Sequence, residues 1–161
     1  MLQADELARA LLSGGVDFII VGGLAVAAHG FIRGTKDMDI VPDPDTDNLR
    51  RLAAVLRQIE AGYHDTGDFG AEELPFDPFN PDDLAQGGNF VMGTRFGRLD
   101  ILQWISGVPS DLAYEHLAQT AGETPFYEMT VRVCSFEDLV AMKRAAGRPQ
   151  DLFDLENLGA A

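Results

Sequence analysis

A four-residue apolar run, Phe18-Ile19-Ile20-Val21, stops at Gly22-Gly23 and leaves few folds open to this chain. The run is short, β-branched and aromatic, which predicts a buried strand. The glycine pair permits a sharp turn and close approach of a ligand to the main chain. Leu24 to His29 then predicts the first turns of a helix, whose N-terminal amides suit a phosphate. Lys36 to Val41 alternates as a second strand. Met38 and Ile40 fall on one face of it and Asp37 and Asp39 on the other. Aspartate is depleted in strands. The pair is therefore either a solvated edge or a site for a cation, and hard oxygen ligands of this kind suit Mg²⁺.

The rest of the chain supplies candidates to join that pair. Asn89–Thr94 and Arg98–Trp104 predict a β-hairpin around Arg95-Phe96-Gly97. Asp100 lies inside its otherwise apolar second strand, where a carboxylate is costly unless paired or metal-bound. Arg33, just upstream of the acidic pair, either contacts a phosphate or braces a carboxylate. Ser135-Phe136-Glu137-Asp138 has the form of a capping box opening a helix that carries Lys143. Beyond a bend at Gly147–Pro149 lies Asp151, which either pairs with Lys143 or takes part in the chemistry.

The order strand, Gly22-Gly23, helix, Arg33-x-Thr35-x-Asp37-x-Asp39 resembles the signature of the nucleotidyltransferase superfamily, the DNA polymerase beta-like fold. Within it, the chain looks most like the small prokaryotic branch related to toxins of abortive-infection, type IV toxin–antitoxin systems. Lys143 followed by Arg148-x-x-Asp151-x-x-Asp154 resembles that branch's C-terminal pattern. The resemblance spans Phe18 to Leu158. It implies an α/β (α+β) fold, a short mixed β-sheet flanked by helices, over a single domain, residues 1–161. It also implies transfer of a nucleoside monophosphate from an NTP with Mg²⁺ or Mn²⁺. By resemblance Asp37, Asp39 and Asp100 hold two metal ions. Gly22, Gly23, Arg33, Thr35 and Lys143 serve the nucleotide, and Asp151 supports the acceptor. The acceptor is tRNA, another RNA, a protein or a small molecule, and a protein partner encoded nearby fits a toxin–antitoxin or phage-defence setting. A non-catalytic regulatory partner and a metal-dependent hydrolase are the rival readings.

Charge narrows these choices. The net charge is −14, which opposes broad, counterion-releasing contact with nucleic acid. It leaves room for a small nucleotide met by metal and local cations, or for a basic protein. The single cysteine, Cys134, excludes an intramolecular disulfide and, between apolar neighbours, reads as a buried thiol in a reducing cytoplasm. The opening Met1-Leu2-Gln3-Ala4-Asp5-Glu6 lacks a basic n-region, so no signal peptide is expected. No apolar run is long enough to span a bilayer, so no membrane partner is expected.

Further elements follow from periodicity. Leu2–Leu12 predicts an amphipathic helix stopped at Gly14-Gly15, with Leu2, Leu7, Ala8 and Leu11 as its stripe. A second runs from Asp45 or Thr46 to about Glu60, with Arg50, Arg51 and Arg57 on its solvated face. Ala61–Gly88 reads as a long irregular loop anchored by Phe69, Phe76 and Phe79, in which His64 and Asp65 have no assigned role. Val108–Ala121 predicts a helix entered through Pro109, with Ser110 or Asp111 near its start. Glu128–Cys134 predicts a strand. His29 reads as a hydrogen-bonded structural histidine.

Overall fold

The computed structural model describes residues 1–63, 77–109 and 112–161. The first half contains α1 (Ala4–Ser13), β1 (Phe18–Val21), α2 (Gly22–Ala28), β2 (Asp37–Pro42), α3 (Thr46–Gln58) and β3 (Gly62–Tyr63). Next come α4 (Pro81–Ala85), β4 (Phe90–Thr94), β5 (Gly97–Ile101) and α5 (Ala113–Ala118). The chain closes with β6 (Gly122–Phe126), β7 (Met129–Val133), α6 (Phe136–Ala146) and α7 (Pro149–Asn157).

Among the described residues one mixed sheet runs in the order β3-β4-β5-β2-β1-β7-β6. β1 pairs antiparallel with β2 and parallel with β7, while β2 pairs parallel with β5. All four residues of β1 are buried, as its unbroken apolar run requires for a central strand. β2 also lies inside the sheet, so the Asp37–Asp39 pair is not on a solvated edge. Met38 and Ile40 enter the core with Leu7, Leu11, Leu52 and Leu56 of the two amphipathic helices. Each such fully buried side chain contributes about 1.5–3 kcal/mol relative to exposure.

Local chemistry sets the helix ends. Asp45 accepts from the Asp47 amide at 3.2 Å and starts α3, and Ser135 accepts from the Asp138 amide at 3.1 Å and starts α6. Gly147, at φ 62°, ends α6 in the left-handed conformation, and Pro149 opens α7 directly after.

Several boundaries differ from expectation. The glycine pair is not a turn ahead of the helix; α2 begins at Gly22 itself. The helix expected over Val108–Ala121 spans only Ala113–Ala118, because Ala113 and Leu117 are its only apolar residues fully buried. Ser110 and Asp111 lie outside the described residues. β6 was not expected at all. It contains Pro125, which cannot donate to a ladder, and the strand sits at the sheet edge where that loss is tolerated. Ala61–Gly88 is less irregular than expected, since it holds β3 and α4. Asn80 caps α4 by accepting from the Asp82 amide at 2.9 Å. Phe79 packs against the core beneath the Arg57 guanidinium, 5.0 Å from its ring centre. Phe69, Phe76, His64 and Asp65 lie outside the described residues.

Candidate active site

The parallel register of β2 and β5 sets Asp37 beside Arg98 and Asp39 beside Asp100. Alternation turns all four side chains to one face, away from Met38, Ile40 and Leu99. There they line a cavity of about 520 Å³. One carboxylate oxygen from each of Asp37, Asp39 and Asp100 lies within 4.8 Å of the others.

Gly22 closes the back of this cluster. It has φ 67°, and a Cβ there would collide with the Asp39 carboxylate. A Cβ at Gly23 would come within 2.7 Å of Thr35 Oγ1. Both positions bring bare main chain to the cavity wall, which is why glycine is needed at each. Thr35 Oγ1 donates to the Asp37 carbonyl at 3.1 Å and fixes the entry into β2.

The opposite wall comes from α6 and α7. Lys143 is buried, with Nζ 3.0 Å from Asp151 Oδ1 and 2.9 Å from Asp154 Oδ2. Arg33 reaches across from the α2–β2 loop and grips Asp154 with two bonds, Nε to Oδ1 at 2.7 Å and Nη2 to Oδ2 at 2.8 Å. Arg148 Nε donates to Asp151 Oδ2 at 2.7 Å. Between the polar walls lies an apolar one of Leu102, Ile105, Leu139 and Met142.

The two groups of acids are tuned in opposite directions. Burial, followed by repulsion from Asp37 and Asp100, pushes the Asp39 carboxyl up to about 8. Asp37 is also raised, first by burial and then by Asp100. Burial pushes Asp151 and Asp154 the same way, but hydrogen bonds from Arg148 and Lys143 to the first, and from Arg33 and Lys143 to the second, outweigh it. Both end below the usual carboxylate range.

All the residues singled out from sequence, Gly22, Gly23, Arg33, Thr35, Asp37, Asp39, Asp100, Lys143 and Asp151, line this one cavity. Lys143 and Asp151 do pair across the bend, and Arg33 does brace a carboxylate. The sequence reading did not place Arg98 in the cluster, although it lies two residues before Asp100 and so shares its face. It also missed Lys36 and Gln150, which line the cavity without a recognisable motif. His29 is structural: Nε2 lies 2.8 Å from the Cys134 carbonyl oxygen. Burial, then Asp138, pushes the Cys134 thiol up to about 12, which leaves it inert at neutral pH.

No protein-family model matches the chain, and no curated protein matches it. Solved structures do. The chain superposes on the lincosamide antibiotic adenylyltransferase LnuA, solved with lincomycin bound, at a TM-score of 0.60 and 16% identity, covering 99% of this chain and 98% of that one. This is the nucleotidyltransferase fold. ANT(2'')-Ia, solved in complex with adenylyl-2''-tobramycin, aligns at a TM-score of 0.56 and 16% identity over 97% of this chain and 87% of that one. A protein of Thermotoga maritima assigned to the nucleotidyltransferases aligns at 0.55 and 14% identity, over 98% and 94%. Within the nucleotidyltransferase fold of this chain, the three clustered acids occupy two neighbouring central strands, which fix them against a shared cavity.

The donor set fits a divalent metal ion. Three carboxylates converge, burial and then their mutual repulsion raise two of them, and only hard oxygen atoms are offered.

Proposed function

We propose that this chain is a divalent-metal-dependent nucleotidyltransferase that moves a nucleoside monophosphate from an NTP to a hydroxyl of a small-molecule acceptor. The convergence of Asp37, Asp39 and Asp100 in a cavity edged by cations carries the reading. Five of the chain's 12 basic residues, Arg33, Lys36, Arg98, Lys143 and Arg148, line this cavity in a molecule of net charge −14. Positive charge is thus concentrated where a triphosphate would lie, and the rest of the surface repels a long polyanion. The acceptor class is supported by the cavity's size and apolar wall, and by the bound lincomycin and tobramycin adduct of the structural neighbours.

In the proposed reaction the acceptor oxygen bonds to the α-phosphorus as the bond to the bridging oxygen of the β-phosphate breaks. Pyrophosphate departs, and the hydroxyl proton passes to a carboxylate of the cluster. Asp37, Asp39 and Asp100 would hold Mg²⁺ or Mn²⁺, which when bound offsets charge on the attacking and leaving oxygens. Gly22 and Gly23 leave room for the phosphates against the main chain. Thr35 orients Asp37. Lys143 and Arg33 present positive charge from the far wall, and Asp151 is a positioning residue that holds Lys143 and Arg148 in place. Both oxygens of Asp151 are engaged, and its lowered pKa makes it a poor base.

The test is label transfer. NTPs labelled at the α-phosphate are incubated with the protein, Mg²⁺ or Mn²⁺, and separate pools of hydroxylated small molecules, total RNA and protein extract. Label on the small-molecule pool that vanishes in Asp37→Asn and Asp39→Asn is the expected result. Label on RNA or protein instead overturns the acceptor class. Labelled monophosphate with no labelled acceptor makes the chain a hydrolase, and absence of any turnover makes it a binding partner.

A further inference from the structure

The acid cluster has a fourth corner, and it is filled by a cation of the chain itself. Arg98 grips both oxygens of Asp100, Nε to Oδ1 at 2.8 Å and Nη2 to Oδ2 at 2.9 Å. The same Nε stands 3.8 Å from Asp37 Oδ2. A bidentate guanidinium–carboxylate pair is among the stronger hydrogen-bonded contacts a protein makes. It uses lone pairs that a metal ion bound to Asp100 would also require. Arginine does not lose its proton, so it cannot yield by neutralisation and must move. The Asp100 side chain is 9% exposed and fixed on a central strand, whereas Arg98 is 38% exposed on a long flexible stem beside open cavity. Arg98 is therefore the partner free to leave.

Charge points the same way. Fully ionised, three carboxylates and one guanidinium carry two negative charges, which one divalent ion neutralises. A second ion leaves positive charge in excess unless a polyphosphate arrives with it. Phosphate oxygens also offer Arg98 a second bidentate partner in place of Asp100.

We propose that Arg98 is a built-in competitor for the metal at Asp100, which splits the cluster into two unequal cation sites and couples filling of the second to arrival of the nucleotide triphosphate. An ion held by Asp37 and Asp39 enters the free protein. An ion shared with Asp100 enters only as Arg98 swings from the carboxylate to the phosphates. Arg98 is thus a positioning residue that keeps the second site closed until substrate is present. The inference rests on the metal-binding reading given above.

The test reads metal binding directly, without turnover. Mn²⁺ is titrated into the protein and the free aquo ion is followed by electron paramagnetic resonance, with and without a non-hydrolysable NTP analogue. The wild-type chain is expected to bind one ion firmly and a second weakly, with the analogue tightening the second. In Arg98→Gln the second ion should bind about 10–100-fold tighter without nucleotide, the range expected for losing a competing charged hydrogen bond. The analogue should then add little. Arg98→Lys, which keeps the charge but loses the fork, should fall between and guards against a folding defect in the glutamine variant. Equal second-site affinity in wild type, Arg98→Gln and Arg98→Lys overturns the competitor role while leaving metal binding intact. Absence of Mn²⁺ binding above the level of an Asp37→Asn/Asp39→Asn double variant in all three overturns the metal reading as well.

Discussion

Two sets of aspartates share one cavity and live under opposite electrostatic conditions. On β2 and β5, Asp37, Asp39 and Asp100 have only Arg98 as an ion-pair partner within 4 Å among the described residues. On α7, Asp151 and Asp154 are enclosed by Lys143, Arg33 and Arg148, with Gln150 adding a hydrogen bond at 3.0 Å. Both sets are substantially buried. Burial penalises the charges of Asp37, Asp39, Asp151 and Asp154 alike, so the sign of each shift is decided by how many cations the fold brings in. On the strands Asp37 and Asp39 are short of positive charge and are raised; the helix set is oversupplied and its members are lowered. A set left short is suited to an outside cation. A fully compensated set is suited to holding two helices together.

Exchanging the same substitution between the sets gives the largest expected contrast. Asp39→Asn should reduce nucleotidyl transfer by about 10³-fold or more, since stabilisation by a bound ion is worth several kcal/mol of barrier. The same variant should melt no lower than wild type in the absence of metal, because the neutral amide relieves repulsion. Loss of activity accompanied by unfolding would mean that Asp39 is structural, and the distinction between the sets would fall.

Lys143→Met is the matching change on the helix side. It leaves Asp151 and Asp154 buried without their shared cation. Breaking a buried pair in this way costs about 3–5 kcal/mol, read from the urea midpoint. A loss below about 1 kcal/mol would show that Arg33 and Arg148 suffice and that Lys143 is held for the nucleotide alone.

The two sets should also produce opposite arms in the pH dependence of stability. Asp39 has a folded value above that of the unfolded chain, so the folded protein keeps a proton the unfolded chain releases. Its contribution is full below about pH 4 and is lost as the pH rises through about 8. Asp151 and Asp154 have folded values below the unfolded ones. Their contribution is present above about pH 4 and is lost as the pH falls through the folded values. The metal-free protein should therefore lose roughly 5–10 °C of melting temperature between about pH 5 and pH 9. Added Mg²⁺ should flatten that alkaline arm, Asp39→Asn should shrink it to the part that Asp37 contributes, and both should leave the acid arm in place. An alkaline arm indifferent to Mg²⁺ would assign it to other groups.

The contrast was only partly legible in the sequence. Alternation along Lys36–Val41 puts Asp37 and Asp39 on one face, and Asp100 stands out as a carboxylate inside an apolar strand and as the match to the resembled family's third acid. That all three share a face follows from the β2–β5 pairing. Alternation along Arg98–Gln103 places Arg98 next to Asp100, but a lone arginine in a hairpin strand reads as surface until the parallel β2–β5 register is known. Lys143 and Asp151 are close in sequence and their pairing was foreseeable. The bond from Arg33 to Asp154 was not, because it closes over 121 residues and no local spacing encodes it. The direction of each pKa shift depends on such distant cations and so becomes visible only in three dimensions. β6 escaped for a related reason: Pro125 argues against a strand locally, and the exemption granted to edge strands is a property of the whole sheet.

Arg148 gives the smallest expected effect and the finest division within the helix set. Its side chain is 74% exposed, while the Asp151 carboxylate that it touches is 1% exposed. A guanidinium in that position stays largely hydrated, and an exposed pair of this kind contributes about 1 kcal/mol or less. Arg148→Gln also preserves the backbone amide that donates to Asp151 Oδ2 at 3.1 Å, and Lys143 remains in place beneath. The urea midpoint should therefore shift by less than about 1 kcal/mol, against several for Lys143→Met. If the two variants cost the same, the compensation of Asp151 resides at the surface rather than in the buried lysine. The helix set would then be one solvent-exposed cation away from the condition of Asp37, Asp39 and Asp100, and the difference between a brace and a binding site in this cavity would be one of degree.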